Sequence, residues 1–258
     1  PGTGKTLSSI WGAHRLMELG KVRRVLVVAP KSTLDHVWKR ELFDTLPRMT
    51  AVTLSGTRDK KRMIARDTRI QWIIVNFESA HLLEGHLPEV DLVIVDEATK
   101  VKNYKARSTQ AISRIAENKR LWLLTGTPAP QAPTDAYTAI RMLRSGNYKS
   151  FKWFRDLTMV QITQFMWKPR DGAADIVAQQ YQPAIRFRRQ DCCDLPDRQS
   201  SDVQVDRTTQ QGKLVKDFIR QAWAELQGEK ITAVNAGVAL GKALQVMAGG
   251  VYHPKGED

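Results

Sequence analysis

Apolar positions recur along the chain in two rhythms. Leu7, Ile10, Trp11, Leu16 and Leu19 follow helical spacing, and Gly20 supplies a helix stop. Val25–Ala29 is then an unbroken, mostly β-branched run, the mark of a strand buried on both faces. Ala51–Leu54, Trp72–Asn76, Asp91–Val95 and Leu121–Thr125 are further strand-sized runs. Thr33–Leu46, Arg58–Arg69 and Ser108–Asn118 read as the helices between them. Strands alternating with helices at this spacing predict an α/β fold, a parallel sheet wrapped by helices. Beyond Pro133 the rhythm changes. Thr134–Arg144 predicts an amphipathic helix ended by Gly146, Ser150–Leu157 is rich in aromatics, and Lys168–Ala173 reads as a loop. Thr208–Leu226 and Ile231–Met247 predict two more helices.

Composition narrows the class. Of 258 residues, 42% are hydrophobic and 26% charged, globular values that exclude wholesale disorder. No apolar run approaches the ~18–20 residues of a membrane helix, and the first residues are not those of a signal peptide. Cys192 and Cys193 are adjacent, which suits neither a disulfide framework nor a four-ligand zinc site; they are expected to be buried free thiols in a reducing compartment. The balance of 40 Lys+Arg against 27 Asp+Glu leaves a net charge of +13. Such an excess fits a nucleic-acid binder and equally a well-solvated basic surface.

The chemistry begins at the amino end. Gly2-Thr3-Gly4-Lys5-Thr6 reads as the second half of the phosphate loop G-x-x-x-x-G-K-[ST]. Its leading glycine would lie upstream of Pro1, so the chain is expected to be a piece of a longer protein. The glycines let backbone N–H groups face phosphate oxygens, and the following helix adds its positive dipole end. Lys5 would reach the outer phosphates and the Thr6 hydroxyl would ligate Mg²⁺. A second element follows, Leu92-Val93-Ile94-Val95 ending in Asp96-Glu97. Beside a phosphate loop, the first carboxylate is suited to Mg²⁺ and the second to orienting and deprotonating a water. On its own, such a pair is commonly just a solvated turn.

Asp96-Glu97-Ala98-Thr99 resembles the DEAD/DEAH box of superfamily-two helicases, and the run on to Lys102-Asn103 is similar to the Swi/Snf-like branch. Leu123-Leu124-Thr125-Gly126-Thr127-Pro128 resembles that branch's third motif. Pro30-Lys31-Ser32-Thr33-Leu34 with Trp38 and Glu41 resembles its motif Ia, and Ile74-Val75-Asn76-Phe77-Glu78 a further segment. Ile185-Arg186-Phe187-Arg188-Arg189 with Leu195-Pro196 resembles the stretch ahead of the second lobe. Thr99 stands where the family commonly has His.

The resemblance implies a RecA-like P-loop NTPase lobe over 1–133, a mostly helical extension over 134–230, and a linker over 231–258 toward a second RecA-like lobe. It implies ATP and Mg²⁺ as cofactors, and movement along duplex DNA irrespective of sequence, with no membrane partner. Lys31, Ser32, Thr33 and Asn76 would hold DNA, and Thr125, Gly126 and Thr127 would couple the two sites. A bacterial or viral cytoplasm is the expected setting, or a nucleus in a eukaryote. Two other readings stand beside it: a P-loop ATPase of AAA+ type acting on protein, and a nucleic-acid-binding remnant with a decayed nucleotide site. His14 and His36 have no ligand-spaced companions and read as surface or packing residues. Most of the seven tryptophans, Trp153 and Trp167 included, read as core, and Arg58-Asp59-Lys60-Lys61-Arg62 reads as a solvated helix face.

Overall fold

The computed structural model describes residues 2–87, 90–144, 148–187, 192, 199–227 and 233–249. The chain divides into two compact units, Pro1–Leu195 and Pro196–Asp258. The first is built on a five-stranded, all-parallel sheet: β1 (Val25–Ala29), β2 (Ala51–Thr53), β3 (Trp72–Asn76), β4 (Leu92–Val95) and β5 (Arg120–Leu123). The strands lie in the order β2-β3-β1-β4-β5. Every predicted strand forms, with ends shifted by one or two residues. The strand predicted over Leu121–Thr125 stops at Leu123 because the Leu124 carbonyl leaves the ladder to accept the Ala98 amide at 2.9 Å.

Both faces of the sheet are covered, which is why its strands read as unbroken apolar runs. Side chains alternate along each strand. Val25, Val27, Ala29, Trp72, Ile74, Leu92 and Ile94 enter one core; Leu26, Val28, Ile73, Val75, Val93 and Val95 enter the other. The first core is closed by Ile10 and Ala13 of α1 (Lys5–Glu18) and by Leu34, Trp38 and Leu42. The second is closed by Ala65 of α3 (Arg58–Arg66), Phe77 and Ala80 of α4 (Phe77–Ala80), and Ile112 and Ile115 of α5 (Arg107–Ala116). On α3, Lys61 Nζ donates to Ser79 Oγ at 2.8 Å and Arg62 Nε to the Leu82 carbonyl at 3.4 Å, so part of that basic face is bound to its own neighbours.

The helix predicted over Thr33–Leu46 is three kinds of turn in succession: a 3₁₀ turn at Lys31–Thr33, a π-helical segment at Leu34–Lys39, and α2 (Arg40–Thr45). Turns of the π type are rare and are frequently found at functional sites. The helix predicted over Thr134–Arg144 is a 3₁₀ turn at Pro133–Ala136 followed by α6 (Tyr137–Leu143); Gly146 lies outside the described residues.

A third, aromatic core joins α6 to α7 (Phe151–Thr158) and α8 (Ala173–Gln180). Between α7 and α8 the loop expected at Lys168–Ala173 is partly a hairpin strand. Met159–Gln161 (β6) pairs antiparallel with Trp167–Pro169 (β7), and the tip exposes Phe165. Three-residue strands are too short for alternation to reveal them. Trp38 and Trp72 are fully buried, but Trp11 is half exposed, and Trp122, Trp153 and Trp167 are only partly covered. Lys149 sits over the Trp153 ring and Arg155 over the Trp167 ring, cations that replace a packed layer. The expectation for Cys192 is also corrected: its thiol is exposed and free. Residues 184–187 before it are exposed as well and join none of the three cores among the described residues. Cys193 lies outside the described residues.

In the second unit, helices Thr209–Gln227 and Ala233–Met247 pack together, with Ala243 and Val246 buried. Thr208 caps the first of them: its hydroxyl accepts the Gln211 amide at 3.2 Å, and Gln211 Oε1 accepts the Thr208 amide at 2.8 Å. Among the described residues no helix is long and apolar enough to cross a membrane.

Candidate functional site: a nucleotide site at the carboxyl ends of the strands

β1 has β3 on one side and β4 on the other, and the chain crosses from β3 over β1 to β4. Open α/β sheets bind ligands at such a reversal, outside the carboxyl ends of the strands. Asp96-Glu97 follow β4 at this end, and Lys31-Ser32-Thr33 follow β1 beside them. α1 meets β1 through a short connection at the strand's amino end, so it runs back across the sheet and its N-terminus reaches the same end as the carboxylates. That N-terminus is capped by Gly4 in the left-handed conformation, φ 73°, with nothing within 4 Å of where a Cβ would stand. Gly2 shares the conformation at φ 80°. A side chain is strained at such angles, whereas glycine leaves the loop backbone open to a close ligand. Lys5 and Thr6 open the helix, half-exposed, and no hydrogen bond or ion pair among the described residues ties either side chain.

Asp96 continues the alternation of Leu92 and Ile94, so its side chain points to the face that α1 and Trp38 cover. It is 8% exposed and held on both oxygens. The Trp38 indole N–H donates to Oδ2 at 3.0 Å and the Glu97 amide to Oδ1 at 2.9 Å. Glu97 itself is left-handed, φ 48° and ψ 55°, an uncommon conformation for a residue with a Cβ. Three backbone bonds lock the turn: Asp96 N to the Val28 carbonyl at 2.8 Å, Leu124 N to Val95 at 2.9 Å, and Ala98 N to Leu124 at 2.9 Å.

The segment after β5 is tied to the segment after β4. Lys102 Nζ donates to Gln131 Oε1 at 2.9 Å, and the Thr138 hydroxyl to the Lys102 carbonyl at 2.7 Å. Thr125 Oγ1 accepts the Thr127 amide at 3.0 Å, making Thr125, Gly126 and Thr127 a self-bonded turn. Tyr181 OH donates to the Pro128 carbonyl at 3.4 Å. Burial, reinforced by the Asp135 charge, pushes the Tyr181 phenol up to about 12.

Lys31, Ser32, Asp35 and His36 line an open groove of about 610 Å³ with Phe77, Glu78 and Lys100. The β1–β3 register sets Ala29 opposite Asn76, which brings Asn76 to this groove's edge. Two of the four DNA candidates are already engaged locally. The Thr33 hydroxyl donates to the Pro30 carbonyl at 3.0 Å, and Asn76 Nδ2 to Glu78 Oε2 at 2.6 Å. Arg186 is exposed; Arg188 and Arg189 lie outside the described residues. Sequence reasoning marked Trp38 as part of a motif but missed its bond to Asp96. Its apolar spacing with Leu34 and Leu42 reads simply as core, and only the tertiary structure shows the acceptor.

A family model described as the SNF2-related domain matches residues 1–246. The chain belongs to that family. The SNF2-related chain is 31% identical over 134 residues to the ISWI chromatin-remodeling complex ATPase ISW2 of Saccharomyces cerevisiae, a match that covers 49% of this chain and 12% of the relative. It is 31% identical over 137 residues to the DNA excision repair protein ERCC-6-like of Homo sapiens, covering 49% of this chain and 11% of that one. Among solved structures it superimposes on the Sulfolobus solfataricus SWI2/SNF2 ATPase core in complex with dsDNA with a TM-score of 0.57 at 20% identity, over 100% of this chain and 54% of that chain. The fold is therefore RecA-like and matches that of a SWI2/SNF2 ATPase core. The AAA+ alternative is left without support.

Proposed function

We propose that this SNF2-related domain is the ATP-binding lobe of a motor that hydrolyses ATP to move along duplex DNA without regard to sequence. The observation that carries the reading is the meeting, at one end of the sheet, of an open glycine loop, a fixed Asp96 and a left-handed Glu97, in a chain matched by the family model over 1–246. Gly2, Thr3 and Gly4 present backbone N–H groups to the phosphates, and Lys5 neutralises the outer ones. Thr6 and Asp96 supply hard oxygen donors, which suit Mg²⁺. Two such protein donors are few, which fits a cation that keeps several waters and is held jointly with the nucleotide's phosphates. When bound, Mg²⁺ neutralises charge developing on the phosphates. Glu97 orients the attacking water and accepts its proton.

Lys31 and Lys100 flank the groove at the end of β1 and contact backbone phosphates, which gives affinity without sequence information. Ser32 and the backbone around Thr33 and Asn76 complete that contact. The turn at Thr125, Gly126 and Thr127 passes the state of the nucleotide to the DNA side, and a second RecA-like lobe of the same polypeptide completes the ATP site. The test is ATP hydrolysis by the full-length polypeptide with duplexes of unrelated sequence, paired with displacement of a third strand from a triplex. Hydrolysis should rise with any duplex and the third strand should be displaced without duplex unwinding. Turnover indifferent to DNA would overturn the reading.

A further inference from the structure

Trp38 and Trp72 offer a contrast within one core. Both are 0% exposed and both pack on the face of the sheet that α1 covers. The Trp72 indole N–H has no hydrogen-bond partner among the described residues. Burial on this face therefore does not by itself require an acceptor. Trp38, 58 residues before Asp96 in sequence, nevertheless aims its N–H at Asp96 Oδ2 at 3.0 Å. It stands in the π-helical segment Leu34–Lys39, where the Arg40 amide reaches back five residues to the Asp35 carbonyl. This wider turn takes an extra residue compared with an α-turn and so changes the direction in which the following side chains leave the helix.

We infer that Trp38 is a positioning residue for the magnesium–nucleotide site. Its N–H, with the Glu97 amide on the other oxygen, fixes the Asp96 carboxylate and leaves one lone pair on each oxygen for a cation. Hydrogen bonds to a carboxylate are stronger than neutral ones, and a carboxylate held on both oxygens no longer rotates. Partners one shell beyond a metal commonly govern its affinity by 10- to 100-fold. The inference rests on the ATPase reading above, and it adds to that reading a residue that touches neither nucleotide nor metal.

The experiment compares Trp38→Phe with Trp72→Phe in the full-length polypeptide. Each removes one buried indole and keeps an aromatic ring, but only the first removes a bonded N–H. ATP affinity is measured by displacement of a fluorescent ATP analogue, in saturating magnesium and in EDTA, alongside the thermal unfolding midpoint. Trp38→Phe should cut the magnesium-dependent gain in ATP affinity by ~10-fold while leaving affinity in EDTA unchanged. Trp72→Phe should change neither. Should Trp38→Phe fail to fold, benzothienylalanine at position 38 keeps the ring shape, replaces N–H by sulfur and is held to the same expectation. An unchanged magnesium gain, or equal losses with and without magnesium, would overturn the positioning role and leave the ATPase reading standing. Wild-type protein that binds ATP no better with magnesium would instead overturn both.

Discussion

Gly12 of α1 lies directly against the Trp122 ring of β5: a Cβ at position 12 would stand 3.1 Å from Cη2. That close approach seats the helix that begins with Lys5 on the strand beside β4, and hence sets the phosphate loop relative to Asp96. Alanine at position 12 would gain ~1 kcal/mol of helix propensity, which displacement of the ring offsets. A leucine has no room. Gly12→Leu should destabilise the domain by ~1–3 kcal/mol, the usual cost of overpacking, and weaken ATP binding as α1 lifts. Urea denaturation and ATP affinity measured together check this; unchanged affinity in a destabilised variant would show that the loop is set by other contacts.

Glu97 and Lys5 should separate catalysis from binding. Glu97→Gln keeps the shape of the left-handed turn and removes the base, so turnover should fall by ~10²–10⁴ with ATP affinity nearly unchanged. Lys5→Ala should weaken ATP binding itself, because a charge-assisted phosphate contact is lost. Equilibrium binding and steady-state hydrolysis on the same preparations distinguish the two. Normal turnover by Glu97→Gln would place the base elsewhere.

The groove at the end of β1 makes different demands on neighbouring residues. Lys31→Ala should lower DNA affinity about equally on unrelated duplexes and flatten the salt dependence by about one unit, as loss of one phosphate contact does. Thr33→Ala should do much less, because its hydroxyl is already donated to the Pro30 carbonyl. Binding titrations over a range of salt give both slopes. A stronger effect of Thr33 than of Lys31 would mean that the local turn opens when DNA binds.

Tyr181 offers a test of the joint between the aromatic core and the third motif. Its phenol is raised from the ordinary 10.0 to about 12, by burial first and the Asp135 charge second. A group raised in the folded state stabilises fully below its unfolded value and loses that contribution as pH climbs through the folded one. Stability should therefore fall between pH 10 and 12, and fall less in Tyr181→Phe, which has nothing to ionise. Unfolding midpoints of the two proteins across this range, with the tyrosinate absorbance step, check the sign. Parallel curves would mean that the Tyr181 phenol holds its proton no more tightly in the folded chain than in the unfolded one.

Much of this domain is written locally in its sequence. The apolar runs at Val25–Ala29, Trp72–Asn76 and Leu92–Val95 had to be strands covered on both sides, because no other element hides so many consecutive β-branched residues without helical spacing. The glycine loop before α1 and the carboxylates after β4 were equally legible, since each is a contiguous pattern whose backbone geometry follows from its own residues. Tertiary structure decided what pairs distant segments. The strand order, which brings Lys31, Asn76 and Asp96 to one end of the sheet, depends on crossovers that no local window records. So do the Ala98–Leu124 and Lys102–Gln131 bonds between the segments after β4 and β5. The hairpin at Met159–Pro169 and the exposed Cys192 escaped the sequence for a related reason: the pairing of short strands and the burial of a single side chain are set by tertiary neighbours, not by periodicity. Trp38 shows the limit most plainly. Its spacing says only that it is buried, and whether its N–H finds a carboxylate, as it does, or no partner among the described residues, as at Trp72, is settled by which side chain the fold brings within 3.0 Å.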